Sequence, residues 1–289
     1  MSLEGSSVNC ELAPYPGPSQ YPASAAYLEE LGAVVACGGN RLEDSTSCWM
    51  FDGSTWTSLP DSNQQHCLVD TPSLMVNQGW WVTGQRQTGD DYCSDYEWTS
   101  EIYTGEDWVP GPGPPNDTYS TYACLVNINE THTIHTGGRP TYSEAWLYDW
   151  TTDTWTQTGS LNAGRNRHGC VTLEDQRVLA VGGYNSGEVY AVELYDPVKG
   201  SWSPQPDLPM DIISPYSPAL LSSDGNVLAF FRFHDQIFKY DKNDGKWSPL
   251  EGTKLPGNFN GNTVDNVVLV PIDFAPNCLE IENGLENMC

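Results

Sequence analysis

The chain has 289 residues and a formal net charge of −26, from 12 lysines and arginines against 38 aspartates and glutamates, and it is long enough to bury a large shared core. So acidic a surface repels phosphate backbones and anionic lipid, which argues against nucleic acid and membrane surfaces as partners. No apolar run reaches the roughly 18 to 20 residues that span a bilayer, strong helical periodicity is absent, and 27 glycines and 21 prolines suit a chain of many tight turns.

Taken in order, Met1-Ser2-Leu3-Glu4-Gly5-Ser6-Ser7 lacks the apolar core of a signal peptide and reads as a leader in place of a removed signal, with residues 8–289 as a single domain. Val8 to Pro14 resembles the end of a repeat. Ala23 to Leu31 is placed as a first strand, followed by Val34-Val35-Ala36-Cys37-Gly38-Gly39, Cys48-Trp49-Met50-Phe51-Asp52 and Trp56. Unit two keeps Trp80-Trp81-Val82-Thr83-Gly84, has Gln85 where a second glycine is expected, and carries a long insert to Trp98 before Trp108. Unit three offers Tyr122 to Val126, Thr133 to Gly138, Ala145 to Asp149 and Trp155. Unit four is the cleanest copy, with Arg167 to Leu173, Arg177 to Gly183, Ala191 to Pro197 and Trp202. Unit five has Val227 to Arg232 without a glycine pair, then Phe238 to Asp241 and Trp247, and a lone apolar run, Val267 to Ile272, follows.

The five tryptophans Trp56, Trp108, Trp155, Trp202 and Trp247 therefore mark a repeat of short strands with a period in the forties. One such unit cannot bury its own faces and must stack on neighbours, as in a propeller or solenoid. The order of strand, Gly-Gly, Tyr-Asp and Trp resembles the kelch repeat over nearly the whole chain. That resemblance implies an all-β propeller of four-stranded blades. Six blades are expected, the last built from 267–272 and closed by the N-terminal strand at Val8 to Pro14, because an unpaired sheet edge is a liability.

Nine cysteines are many for a cytosolic propeller. Cys37 and Cys48 should face each other across neighbouring strands, Cys10 and Cys278 would meet in the closing blade, and Cys93 could reach Cys67. Cys124 and Cys170 read as small buried hydrophobes, and Cys289 as the odd thiol. The sequons at Asn116 and Asn129 lie in expected loops and, with the cysteines, favour a secreted glycoprotein. His66 and His168, each just ahead of a first-strand cysteine, are taken as equivalent structural residues. His132 and His135, three apart on one strand, should point to opposite faces.

No nucleophile elbow, Walker or metalloprotease motif is present, and no metal or cofactor is expected. Asp90, Asp91, Asp95 and Glu97 form the best cluster for an adventitious cation. Propellers present variable loops on a rigid frame, so the expectation is a non-catalytic module, outside the cell, that binds a protein or a glycan. Tyr92, Asp95, Tyr96, Arg139, Tyr142, Tyr184 and His234 are the contact residues expected from the loops. The resemblance leaves two alternatives. One is a sugar-processing enzyme of the mutarotase or galactose-oxidase-like type, whose site constellations match no residues here. The other is a cytosolic kelch adaptor, a type that carries helical domains ahead of the ring.

Overall fold

A computed structural model describes residues 24–28, 31–38, 46–66, 73–87, 96–115, 122–212, 214–215, 217–223, 226–231, 234 and 236–251, with Pro16; the side chains of 73, 85–87, 96–97, 221 and 223 lie outside the description. These residues form five four-stranded antiparallel sheets, each in sequential strand order. Blade 1 is β1 (Ser24–Leu28), β2 (Ala33–Cys37), β3 (Cys48–Phe51) and β4 (Trp56–Ser58). Blade 2 is β5 (Ser73–Val76), β6 (Gly79–Gln87), β7 (Tyr96–Tyr103) and β8 (Trp108–Pro110). Blade 3 is β9 (Cys124–Asn127), β10 (His132–Thr136), β11 (Ala145–Asp149) and β12 (Thr154–Gln157). Blade 4 is β13 (Gly169–Thr172), β14 (Val178–Val181), β15 (Val192–Asp196) and β16 (Ser201–Gln205). Blade 5 is β17 (Ala219–Ser223), β18 (Asn226–Phe230), β19 (Phe238–Asp241) and β20 (Lys246–Pro249).

The first strands touch in the order β1, β5, β9, β13, β17, so they surround the axis and the fourth strands lie outermost. Five blades thus stand where six were expected; the segments assigned to the sixth, 8–14 and 267–272, lie outside the described residues. Among the described residues no helix is long and apolar enough to cross a membrane.

The core is a series of blade-to-blade interfaces. Successive strand residues face opposite sides of a sheet, so Trp80 packs with Leu28, Val35 and Trp108 between blades 1 and 2, while Trp81 packs with Ile102 and Leu125 between blades 2 and 3. Both are fully buried. Second strands are covered on both faces, which is why Val178–Val181 is buried at every position. In each blade an aromatic at the third strand's last or next-to-last position sits directly opposite the repeat tryptophan: Phe51 with Trp56, Tyr103 with Trp108, Tyr148 with Trp155, Tyr195 with Trp202 and Tyr240 with Trp247. Ring centroids lie 5.0, 5.2, 4.9, 5.1 and 5.1 Å apart in that order, all tilted. Such a pair is worth about 0.5–1.5 kcal/mol beyond its buried area.

The aspartate of the Tyr-Asp pattern folds the next hairpin. Asp52 Oδ1 accepts the Thr55 and Ser54 amides at 2.8 and 2.9 Å, and these bonds hold its carboxyl at about 2. Asp149, Asp196 and Asp241 accept amides in the same way, and Thr104 substitutes its hydroxyl in blade 2. In blades 1, 3 and 4 the second strand stops at a glycine. β2, β10 and β14 each end at the residue before Gly38, Gly137 or Gly182, whereas β6, with Gln85 after Gly84, runs on for nine residues.

Two disulfides are present among the described residues. Cys37 and Cys48 face each other across β2 and β3, Cα atoms 4.2 Å apart, as expected. Cys124 and Cys170 are not separate buried hydrophobes. They are bonded, Cα atoms 6.0 Å apart, because each occupies its unit's inner strand and those strands, β9 and β13, lie side by side at the axis. Closing loops of 46 and 11 residues stabilises by about 4 and about 3 kcal/mol respectively in the chain-entropy model. Cys10, Cys67, Cys93, Cys278 and Cys289 lie outside the described residues.

Candidate binding face

Sequential antiparallel strands put the 1–2 and 3–4 hairpins at one end of every blade, and the 2–3 loops and inter-blade linkers at the other. Of the expected contact residues, Arg139, Tyr142, Tyr184 and His234 fall at the second end, in the 2–3 loops of blades 3, 4 and 5. Tyr92 and Asp95 lie outside the described residues, as does the Tyr96 side chain at the start of β7. Asp90 and Asp91 of the expected cation cluster, and the Glu97 side chain, lie outside too. Among the described residues no group of three or more His, Cys, Asp or Glu is arranged to hold a metal ion.

The remaining contact residues are positioned by the linker that enters blade 4. The Arg165 amide donates to the Tyr142 carbonyl at 2.7 Å, and Tyr142 donates to the Gly138 carbonyl at 2.6 Å, holding Tyr142 at φ 46°. On the other side Asn166 and Tyr184 exchange both backbone hydrogen bonds, at 2.9 and 2.8 Å. The linker thus brings the Tyr142 and Tyr184 loops of blades 3 and 4 together. Arg139 is exposed in the same loop as Tyr142. His234 stands apart in blade 5, half-buried, with its ring 5.7 Å from Phe238.

Two residues of this patch escaped the sequence reading. The Arg167 guanidinium lies 4.2 Å from the centre of the Tyr122 ring, a cation–π contact. Tyr122, Arg167 and Ser217 each stand two residues before an inner strand, and all three are left-handed, at φ 58, 51 and 50°. The Arg167 amide donates to the Tyr122 carbonyl at 2.8 Å and the Ser217 amide to the Arg167 carbonyl at 2.6 Å, linking blades 3, 4 and 5 around the axis. The shared offset ahead of the inner strand was the signal.

Beneath this face lies a buried polar frame. Glu193 accepts the Asn162 and Ala163 amides at 2.8 and 3.0 Å, the Asn162 side chain at 2.7 Å and the Arg165 guanidinium at 2.5 Å. Arg165 is fully buried, and its remaining protons reach the carbonyls of Ala163, Gly182 and Ala191. Blade 2 repeats the arrangement with Glu101 accepting the Gln64 amide at 2.7 Å, the Asn63 side chain at 3.0 Å and His66 Nε2 at 3.3 Å. Burial pushes the Glu101 carboxyl up, but these donors outweigh it and leave it below its ordinary value.

His66 is therefore the counterpart of Arg165, not of His168. Both histidines are structural, as expected, but His168 lies three residues further on and pairs through Nε2 with Thr136 at 3.3 Å. Its ring fills the space that two glycines leave. A Cβ on Gly137 would come 2.8 Å from His168 Cε1, and one on Gly183 3.0 Å from its Cβ. His132 and His135 do point to opposite faces: His132 Nε2 lies 4.0 Å from Asp149, while His135 is buried between Trp98 and Trp155, with centroids 6.1 and 6.2 Å away. Among the described residues neither ring nitrogen of His135 has a hydrogen-bond partner, and burial pulls its pKa down to about 4. Burial, with Arg165 and His135 nearby, holds His168 well below its ordinary value.

Residues 164–209, which contain the Arg165–Glu193 clamp and the whole of blade 4, match the Kelch motif family model. The chain is 32% identical to Kelch-like protein 35 of Mus musculus over 108 residues, 37% of this chain and 18% of that protein. It is 34% identical to Kelch-like protein 6 of Homo sapiens over 89 residues (30% and 14%) and 32% identical to Kelch-like protein 23 of Homo sapiens over 131 residues (42% and 23%). The matched stretches thus span less than a quarter of these relatives' length. With the blade order, the glycine pairs and the repeated Tyr–Trp pairs, they show a kelch motif at residues 164–209 within a fold of the kelch-type β-propeller kind.

Proposed function

We propose that this propeller is a non-catalytic module that binds a protein partner across the 2–3 end of its blades, in an oxidising compartment outside the cell. The observation that carries the first part is the patch formed by Tyr122, Arg139, Tyr142, Arg167 and Tyr184. Its tyrosines and arginines are the residue types enriched at interface anchors. Its backbone is fixed in advance by the Arg165 and Asn166 hydrogen bonds, which lowers the ordering cost of association. The compartment rests on the two disulfides, and Asn129, exposed in the β9–β10 turn, is the described sequon at which a glycan would support it.

The test is affinity capture from culture medium with the full chain and matched variants. Arg139→Ala with Tyr184→Ala should release a captured partner by tenfold or more, consistent with losing about 2 kcal/mol at an anchor. Lys199→Ala with Lys246→Ala, at the opposite end, should leave capture unchanged. The reverse pattern would place the binding surface at the wrong end of the blades. A second reading, a cytosolic adaptor, draws on the Kelch-like relatives. Free thiols at Cys124 and Cys170 in protein from cells would favour it.

A further inference from the structure

The opposite end of the propeller carries a cavity of about 290 Å³ between the 1–2 hairpins of blades 2 and 3. Its walls depart from the repeat. Trp150 follows Asp149 at the position occupied by Gly53 after Asp52, Gly105 after Thr104, Pro197 after Asp196 and Lys242 after Asp241. This unit alone has a tryptophan there, and Trp150 packs on the Trp81 core between blades 2 and 3 while also lining the cavity. The indole is held rigidly. Its Nε1 donates to Thr133 Oγ1 at 2.8 Å, and its ring meets Trp81 and Tyr148 edge-on at 5.2 and 4.7 Å. With the N–H engaged, the indole offers the cavity a carbon surface.

The other walls are Met75, Val76, Glu130 and the amides of Asn77, Asn127 and Asn129, and because Asn129 is the sequon residue the site is tested on protein carrying no glycan there. Asn127 is locked by donating to the Met75 carbonyl and accepting from Thr133 Oγ1, and Asn77 donates to the Glu130 carbonyl at 3.0 Å. Those contacts leave Asn77 Oδ1 and the Glu130 carboxylate at the rim without a partner among the described residues. The equivalent cavity between blades 4 and 5, about 190 Å³, is lined instead by Glu174, Asp175, Arg177 and Lys242, whose charges are paired with one another. In a chain of net charge −26, the blade 2–3 cavity is the uncharged one of the two, apart from a single carboxylate at its edge.

We propose that this cavity is a second binding site and that it takes a neutral sugar ring. The carbon face of the ring lies on Trp150, and adjacent hydroxyls donate to Asn77 Oδ1 and the Glu130 carboxylate. A volume at the lower end of the small-molecule range fits one ring rather than a chain. The site lies at the far end from the proposed protein-binding face, so its failure leaves that reading untouched.

Ligand-observed saturation-transfer NMR of the full chain with glucose, galactose, mannose and N-acetylglucosamine at millimolar concentration, alongside glucuronate as a charged control, tests it. Saturation of at least one neutral sugar is expected, with none for glucuronate. Trp150→Pro, which copies blade 4, and the rim change Asn77→Ala should each weaken binding tenfold or more. Asn77→Ala removes an exposed amide and its one hydrogen bond to the Glu130 carbonyl, a far smaller change than loss of the indole, so it keeps the test valid if the tryptophan variant misfolds. No saturation with any neutral sugar, or binding that survives Asn77→Ala unchanged, would overturn the proposal.

Discussion

Blades 2 and 4 hold their incoming linkers with the same device and different chemistry. In both, a buried glutamate on the third strand accepts an asparagine side chain and a backbone amide from the linker. Blade 4 completes the shell with a permanently charged guanidinium, and blade 2 with an imidazole. A buried guanidinium left unpaired has no cheaper state to retreat to, whereas a histidine does. The two blades should therefore differ sharply in what they lose when the carboxylate is removed.

Glu193→Ala gives the largest expected effect. It strands Arg165 and two amides and should cost about 3–5 kcal/mol of unfolding free energy, read from urea midpoints. Glu101→Ala should cost about 1–3 kcal/mol, the scale for unsatisfied neutral donors. Equal costs would remove the distinction between the clamps.

Next comes the covalent clasp between blades 3 and 4. Replacing Cys124 and Cys170 with alanine should destabilise by about 4 kcal/mol, against about 3 kcal/mol for the pair Cys37 and Cys48 in the shorter loop. Thermal unfolding of the two double variants ranks them, and a larger loss at blade 1 would contradict the loop argument.

Protonation gives a comparable term of opposite location, in the interface between blades 2 and 3. His135 is neutral when folded because its pKa falls from 6.5 to about 4, while the unfolded chain takes up its proton near 6.5. Its contribution is complete above pH 6.5 and is lost as the pH falls from there towards 4, by about 3 kcal/mol in all. His135→Leu should flatten the stability profile across that window. An unchanged slope would show that another group, such as the buried His168, governs it.

The repeat was legible because its signals are local. Glycine pairs end strands, aspartates cap hairpins, and each aromatic–Trp pair is five to seven residues apart in the chain, as in Phe51 and Trp56 or Tyr148 and Trp155. The Cys37–Cys48 bond was legible for the same reason. What escaped depends on contacts between units. Cys124 and Cys170 are 46 residues apart and meet only because inner strands share an axis. The likeness of His66 to Arg165 was hidden by the nearby cysteines, which suggested His168 instead; only the shared carboxylate geometry reveals it. The proposed binding patch was half legible. Arg139, Tyr142 and Tyr184 stand out as loop residues, while Tyr122 and Arg167 sit at the edge of strands and gain their meaning from stacking across blades.

The most direct test of the account is peptide mapping, without reduction, of the full chain purified from its native source. Cys37 should be found linked to Cys48 and Cys124 to Cys170, as the proposed oxidising compartment and the side-by-side inner strands require. All four recovered as free thiols would contradict the oxidising compartment, and any other pairing of the four would contradict the blade arrangement itself.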